Sequence, residues 1–215
     1  MITPRALHVL LAFWMVLPTI AVAQSAGSGG LAALLELRAD PARGKELFAQ
    51  CAGCHRKDAS GRANGVFPRL AGQYATVVIK QLSDIGGGRR LNPSMLPLVS
   101  ELSGNDIADI AAYLQSLAVG DKNGKGPGAA TARGRQLYER DCLACHGAGG
   151  EGDAAKFHPM VAAQHYRYLL REVASIRDGQ RGNSDPAMVH VVKDYSAADI
   201  EAVADYMSHL PPPKR

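Results

Sequence analysis

The sequence predicts an all-α protein built from two similar helical domains. A string of residues around position 51 returns about 91 residues later, and self-similarity at a fixed period indicates duplicated units. Each copy contains helix-start signals followed by apolar residues at three- and four-residue spacing. No segment shows the alternating apolar pattern and hairpin turns that are typical of a β-sheet.

Length and composition bound the organisation. The chain has 215 residues, of which 47% are apolar and 20% charged, so it can bury two cores of about 100 residues each. The net charge of +4 is small and scattered, which argues against a nucleic-acid partner, and four cysteines are too few for a disulfide scaffold. We predict a signal peptide at 1–23, a first domain at 24–119, a Gly- and Lys-rich linker at 120–130 and a second domain at 131–215.

The first 23 residues have the features of an export signal. Arg5 precedes an apolar stretch at 7–20, and the small residues Ala21 and Ala23 stand where a signal peptidase reads its site. Cleavage after Ala23 would place the mature chain outside the cytoplasm, in an oxidising compartment where unpaired thiols are a liability. The alternative is an uncleaved N-terminal anchor, although the stretch is short for a membrane span of ~20 residues.

The repeat is centred on two short strings. Residues 51–55 (CAGCH) return as residues 142–146 (CLACH), with one extra residue before the second cysteine pair. Further positions match at a displacement of 91 and then, after two more inserted residues, 93. These pairs are Pro68 and Pro159, Ala71 and Ala162, Gln73 and Gln164, Met95 and Met188, Ser103 and Ser196, Asp106 and Asp199, Ile107 and Ile200, and Tyr113 and Tyr206.

Three helices are predicted in each copy. Asp40 is a good N-cap with Pro41 at the first helical position, and Thr131 is predicted to cap the equivalent helix of the second copy. Second helices are predicted at 73–82 and 164–176, each followed by glycine. Each last helix opens with a capping-box pattern, Ser103-x-x-Asp106 or Ser196-x-x-Asp199.

Two glycines occupy mid-helix positions in the first helix of each copy. Glycine costs about 1 kcal/mol there relative to alanine, so Gly44 and Gly134 predict a close crossing of the first helix against the last. Such a crossing would bring together two aromatic pairs, Phe48 with Tyr113 and Tyr138 with Tyr206.

All four cysteines lie in the two Cys-x-x-Cys-His strings. In an exported chain this pattern indicates covalent heme attachment: two thiols form thioethers with one porphyrin, and the adjacent histidine becomes the proximal iron ligand. A thioredoxin-like redox pair would need a βαβ context, and a four-thiolate zinc site would leave both histidines unexplained. We predict two covalently bound heme c groups, held by Cys51, Cys54 and His55 in the first copy and by Cys142, Cys145 and His146 in the second.

A methionine in each copy is a candidate for the sixth iron ligand. Met95 follows His55 by 40 residues and Met188 follows His146 by 42, each just ahead of the last helix. A lone methionine is usually core filler, but two in register inside a heme-bearing repeat favour ligation, which raises the reduction potential. In the second copy His190 is a rival, and a heme with two histidine ligands would have a lower potential.

Pro68 and Pro159 each lie 13 residues beyond the proximal histidine. A carbonyl from such a turn would accept the second imidazole N–H and so fix the orientation of the ring.

Taken together, these motifs resemble the diheme cytochromes c of the c4 type. The resemblance covers residues 40–210 and rests on the duplicated Cys-x-x-Cys-His strings with their downstream methionines. It implies two tandem cytochrome c domains that carry electrons in the bacterial periplasm, sometimes loosely held at the inner membrane. The partners it implies are a cytochrome bc1 complex or a dehydrogenase as donor and a terminal oxidase as acceptor.

With both axial positions filled, the iron has no open site for a substrate, so the sequence predicts outer-sphere electron transfer rather than an enzyme. Two alternatives remain open. One is a dedicated diheme electron-accepting subunit of a dehydrogenase, such as a sulfide or alcohol dehydrogenase. The other is a peroxidase, which would require one heme without its methionine.

Overall fold

The computed structural model describes residues 30–214, so the predicted signal peptide lies outside the described residues. Its helices in the first half are α1 (Leu31–Leu35), α2 (Pro41–Phe48), α3 (Ala52–His55), α4 (Ala75–Gly86), α5 (Leu96–Val99) and α6 (Gly104–Ser116). The second half contains α7 (Thr131–Leu137), a π-helical turn (Tyr138–Cys142), α8 (Leu143–His146), α9 (Tyr166–Arg177), α10 (Pro186–Val192) and α11 (Ala197–His209).

Helices dominate throughout this range. Between residues 30 and 214 the only extended pairing is one isolated bridge between Asp153 and His158, so the all-α prediction is confirmed. The longest described helices, α4, α6, α9 and α11, have 12 or 13 residues, and none in this range is long and apolar enough to cross a membrane.

Most of the predicted helix starts are confirmed. The Asp40 carboxylate accepts the backbone N–H groups of Ala42 and Arg43 at the start of α2. The capping boxes of α6 and α11 are both complete, because serine and aspartate satisfy each other's backbone donors. The second helices begin two residues later than predicted, at Ala75 and Tyr166.

Thr131 does not cap α7, and that prediction is wrong. It is the first helical residue, after an N-cap at Ala130, and its hydroxyl donates to the Gly128 carbonyl at 3.0 Å. A carboxylate from another helix acts at this helix start instead: Asp205 on α11 accepts the Ala130 N–H at 3.1 Å.

The predicted close crossings are present in both halves. A Cβ atom on Gly44 would lie 2.0 Å from the carbonyl oxygen of Asp109, and one on Gly134 would lie 2.0 Å from that of Ala202. Glycine is therefore required for α2 to cross α6 and for α7 to cross α11 at backbone contact. The two predicted aromatic pairs flank these crossings, with ring centroids 5.6 Å apart for Phe48 and Tyr113 and 5.4 Å apart for Tyr138 and Tyr206.

Each half has its own hydrophobic core. The first gathers buried side chains of α1, α2, α4 and α6, including Phe48, Ile107 and Leu114. The second gathers those of α7, α9, α10 and α11, including Leu137 and Ile200. The duplicated sequence thus folds as two similar helical units.

A π-helical turn accommodates the extra residue of the second copy. It spans Tyr138–Cys142 and joins α7 directly to α8. One inserted residue in a helix widens a single turn in this way, because the hydrogen bonds then skip five residues instead of four. The insertion therefore leaves the following Cys-x-x-Cys-His string unchanged.

The segment 120–130, predicted to be a linker, forms several hydrogen bonds with the second half. Both carboxylate oxygens of Asp205 accept linker N–H groups, from Gly128 at 3.0 Å and from Ala130 at 3.1 Å. The Asn123 amide donates to the carbonyls of Gln164 and Ser208 at 2.9 and 2.8 Å. These hydrogen bonds fix the segment against the second half, although its composition alone predicts only a flexible connection.

His165 joins three parts of the chain. Its Nδ1 atom accepts the Gly124 N–H of the linker at 2.9 Å, and its Nε2 atom lies 2.8 Å from the Ser60 carbonyl oxygen of the first half. A carbonyl only accepts, so Nε2 carries the proton and the ring is neutral. Burial, with the positive charge of Arg69, lowers the pKa of this imidazole.

We therefore expect the free energy of unfolding to fall as the solution is acidified. A histidine whose pKa is lower when folded contributes its full stability above its unfolded pKa of about 6.5, and loses it as the pH falls toward the folded value. Urea unfolding at pH 7.5 and pH 5.5 measures the difference. His165→Gln should be less stable at pH 7.5 but show a smaller loss on acidification; an equal loss in both proteins would contradict this role.

Candidate heme-binding sites

The two motif histidines are held in the same way. His55 closes α3 and is 5% exposed, and its Nδ1 atom lies 3.1 Å from the Pro68 carbonyl oxygen. His146 closes α8, with Nδ1 2.9 Å from the Pro159 carbonyl oxygen. The predicted proline carbonyls are thus confirmed as acceptors, and they require the proton on Nδ1. That tautomer leaves the lone pair of Nε2 for a metal.

Both imidazoles are kept neutral. Burial lowers the pKa of His55 and of His146, while the hydrogen bond to the proline carbonyl acts in the opposite direction. A neutral imidazole is the form that binds iron, so the environment selects the ligand state.

The thiols of each motif differ in exposure. The first cysteine of each pair is partly or fully buried, and the second is exposed. Burial raises the pKa of the Cys51 thiol and raises that of Cys142 to about 12, so neither is an activated thiolate. None of the four forms a disulfide, and within residues 30–214 no cluster of three His, Cys, Asp or Glu side chains is placed to hold a metal ion. The four-thiolate zinc alternative therefore has no geometric support.

The surroundings of the motifs fit a flat apolar ring. Phe67 meets the His55 ring edge-on, with centroids 5.9 Å apart, and His158 lies 6.3 Å from the His146 ring. Large apolar side chains with exposed surface, within the described range, occur only in the segments near the motifs and the methionines. They are Val66, Leu91, Leu96, Leu98 and Leu143. A bound porphyrin would give these side chains an apolar partner.

The candidate methionines both lie ahead of the last helix, as predicted. Met95 is half-buried at the N-cap of α5, where its N–H donates to the Asn92 side chain at 3.2 Å. Met188 is half-buried on α10 and packs against the second core. His190 is two residues further along α10 and exposed. Two residues turn a helix by about 200°, so Met188 and His190 point in nearly opposite directions.

Gln73 and Gln164 occupy equivalent positions of the two copies, and the sequence alone indicates no role for either. In the structure each glutamine side chain bonds the backbone of one residue in the opposite half, and both the N–H and the carbonyl of that residue are used. Gln164 pairs with Arg69, and Gln73 pairs with Met160. The recurrence of glutamine at the same position of both copies was the signal available in the sequence.

Charged residues hold the same interface further out. Glu172 of α9 accepts hydrogen bonds from Arg90 and Arg181, each at 2.9 Å. Arg90 also donates to the Tyr168 hydroxyl, at 3.2 Å, and Asn183 reaches the Asp84 carboxylate at 2.8 Å. These contacts act together with the glutamine bonds to hold the two halves against each other.

Comparison with known proteins decides the family. The family model for cytochrome c matches residues 41–118 and again residues 131–211. The chain belongs to the cytochrome c family. As a tandem member it carries two covalently bound heme c groups, one in each domain, and is an electron-transfer protein rather than an enzyme.

Among its relatives, the cytochrome is 36% identical over 204 residues to a thiosulfate dehydrogenase electron acceptor of Stutzerimonas stutzeri, covering 85% of this chain and 93% of that protein. It is 35% identical over 189 residues to cytochrome c4 of Pseudomonas aeruginosa, covering 84% and 94% of the two chains. These relatives confirm the resemblance to the c4 type.

Solved structures agree with the sequence relatives. Reduced cytochrome c4 from Pseudomonas stutzeri superposes with a TM-score of 0.73 at 30% identity, covering 80% of this cytochrome and all of that chain. A thiosulfate dehydrogenase from Marichromatium purpuratum superposes with a TM-score of 0.71 at 32% identity, covering 80% of this cytochrome and 40% of that chain. The fold is thus that of two tandem cytochrome c domains.

Proposed function

We propose that the first heme is attached through Cys51 and Cys54, with His55 and Met95 as its axial ligands. In the second domain the corresponding residues are Cys142, Cys145, His146 and Met188. The neutral, carbonyl-oriented histidines and the half-buried methionines support this set of ligands. For the second iron, the exposure of His190 and its opposite direction on α10 favour Met188.

On this basis the protein is a periplasmic diheme electron carrier that accepts electrons from a dehydrogenase and delivers them to a terminal oxidase. Each heme supplies an iron that takes up and releases one electron. The protein holds both imidazoles in one orientation, and its two domains meet at a bonded interface, so an electron entering one domain can leave from the other. The predicted export signal supports the periplasmic location.

A thiosulfate-oxidising dehydrogenase is the donor that we propose. One observation carries this choice: the 36% identity, over 85% of this chain, to a protein that accepts electrons from such an enzyme. The structural likeness to part of a thiosulfate dehydrogenase supports the same donor class.

Stopped-flow spectroscopy tests the donor. The oxidised diheme protein is mixed with a thiosulfate dehydrogenase and excess thiosulfate, and the visible heme bands are followed. We expect two electrons to be taken up per chain at a rate that depends on the dehydrogenase concentration. Thiosulfate without the enzyme is the control. Reduction no faster than in that control would refute this donor.

A second candidate donor is a cytochrome bc1 complex, the donor that the resemblance to c4-type cytochromes implies. Membranes that contain this complex, supplied with quinol, would then reduce the protein, and an inhibitor of the complex would block the reaction. In both cases the carrier would associate with membranes only at their surface, through its redox partners.

A further inference from the structure

The side chain of Gln164 forms two hydrogen bonds with the backbone of Arg69 across the domain interface. Gln164 Oε1 accepts the Arg69 N–H at 2.9 Å, and Gln164 Nε2 donates to the Arg69 carbonyl at 3.0 Å. Gln164 is 7% exposed and Arg69 is 4% exposed, so both bonds lie in an environment from which water is excluded. Buried amide hydrogen bonds are stronger electrostatically than exposed ones because the surrounding dielectric is low.

The peptide group that Gln164 contacts is the one that also orients the proximal histidine of the first domain. The N–H of Arg69 and the carbonyl of Pro68 belong to one planar peptide group. That carbonyl accepts the Nδ1 proton of His55. A continuous chain therefore runs from His55 through the peptide to Gln164, and it crosses from the first domain into the second.

The same chain exists in the opposite direction. Gln73 Oε1 accepts the Met160 N–H at 3.0 Å, and Gln73 Nε2 donates to the Met160 carbonyl at 3.1 Å. The Met160 N–H shares its peptide group with the Pro159 carbonyl, which accepts the Nδ1 proton of His146 at 2.9 Å. Each domain thus contributes one glutamine to the histidine support of the other.

Hydrogen bonds in series polarise one another. A glutamine oxygen that attracts the N–H end of a peptide increases the negative charge at its carbonyl end, and hydrogen bonds arranged in series in this way strengthen one another by roughly 10–30% per bond. The carbonyl then pulls more strongly on the Nδ1 proton, and the imidazole becomes a more basic ligand. A more basic ligand stabilises ferric iron and lowers the reduction potential.

We propose that Gln164 and Gln73 are positioning residues that tune the iron of the opposite domain through the peptide that orients its proximal histidine. The proposal rests on His55 and His146 being the proximal ligands. Its distinctive consequence is a crossed effect: a change in one domain moves the potential measured in the other.

The test measures both heme potentials in Gln164→Leu and Gln73→Leu, using a redox titration in which NMR signals assigned to each domain are followed. Gln164→Leu should raise the potential of the first-domain heme and leave the second within error, and Gln73→Leu should do the reverse. We expect a change of up to about tenfold in the one-electron equilibrium constant, which corresponds to about 59 mV.

Two further variants separate tuning from loosening of the interface. Thr76→Val removes the interdomain bond from the Thr76 hydroxyl to the Ala154 carbonyl, 2.7 Å long, without touching a histidine-bearing peptide. It should shift neither potential. Gln164→Glu keeps an acceptor for the Arg69 N–H, so it should move the first-domain potential in the direction opposite to Gln164→Leu, and it also serves if the leucine variant does not fold.

The proposal would be overturned by a shift confined to the domain that carries the mutation, by equal shifts in Thr76→Val, or by the same direction of shift for leucine and glutamate. Failure of the ligand assignment is visible separately, in the wild-type protein. Magnetic spectra that lack a histidine ligand at either iron would refute the assignment, whereas intact histidine signals with potentials insensitive to the glutamines refute only the tuning.

Discussion

Replacing Gly44 or Gly134 with alanine should destabilise the corresponding domain by about 3 kcal/mol or more, the upper end of the cost of overpacking. The added methyl group would lie 2.0 Å from a backbone carbonyl oxygen of the crossing helix, either at Asp109 or at Ala202. Backbone cannot rotate away as a side chain can, so the two helices must separate and the aromatic pairs beside them must loosen. Urea unfolding of the heme-loaded protein measures the loss.

Gly53→Ala is the matched control. A Cβ atom at Gly53 meets nothing within 4 Å, and the second copy already has Ala144 at the equivalent position. This variant should stay within about 0.5 kcal/mol of the wild-type protein, as is usual for a surface change. A Gly44→Ala protein as stable as Gly53→Ala would show that the crossing is looser than the distances indicate.

Met95→Ala should produce the largest change in redox behaviour. Removing the methionine sulfur leaves the first iron with histidine alone or with histidine and water as axial ligands. Its reduction potential should drop by on the order of 0.1 V or more, within the roughly 0.8 V range that axial ligands span. The absorption band of ferric heme with a methionine ligand should fall to half its intensity, because the second heme keeps its methionine. Spectroelectrochemistry records both changes.

The second domain offers matched comparisons for the same test. Met188→Ala should affect the second heme as Met95→Ala affects the first. Met207 is a buried core residue on α11 that aligns with Leu114, so Met207→Leu should leave both potentials unchanged. If His190→Ala, rather than Met188→Ala, changed the ligand spectrum, the histidine alternative would be correct.

Much of the fold follows from local signals in the sequence. Asp40, the two serine capping boxes and the mid-helix glycines act within a helix or at a single crossing, and the structure confirms each of them. The proline carbonyls were predictable because the repeat places each at a fixed distance from its histidine. Because the sequence is duplicated, most of these signals occur twice, and each copy supports the prediction made from the other.

What escaped prediction depends on contacts between distant parts of the chain. Thr131 has the composition of a cap, but Asp205, 74 positions away, supplies the carboxylate at that helix start. The roles of Gln73 and Gln164 appear only once two domains meet, since their partners lie 87 to 95 residues away. No local pattern encodes such a meeting, even when the residues themselves recur.

The π-helical turn at Tyr138–Cys142 bears on how the two halves of the gene can diverge in length. Because the surplus backbone is taken up immediately upstream of Cys142, an added codon in this half of the gene needs no compensating deletion elsewhere. Halves that arose by duplication can therefore diverge in length while each preserves the thiol spacing that covalent attachment demands.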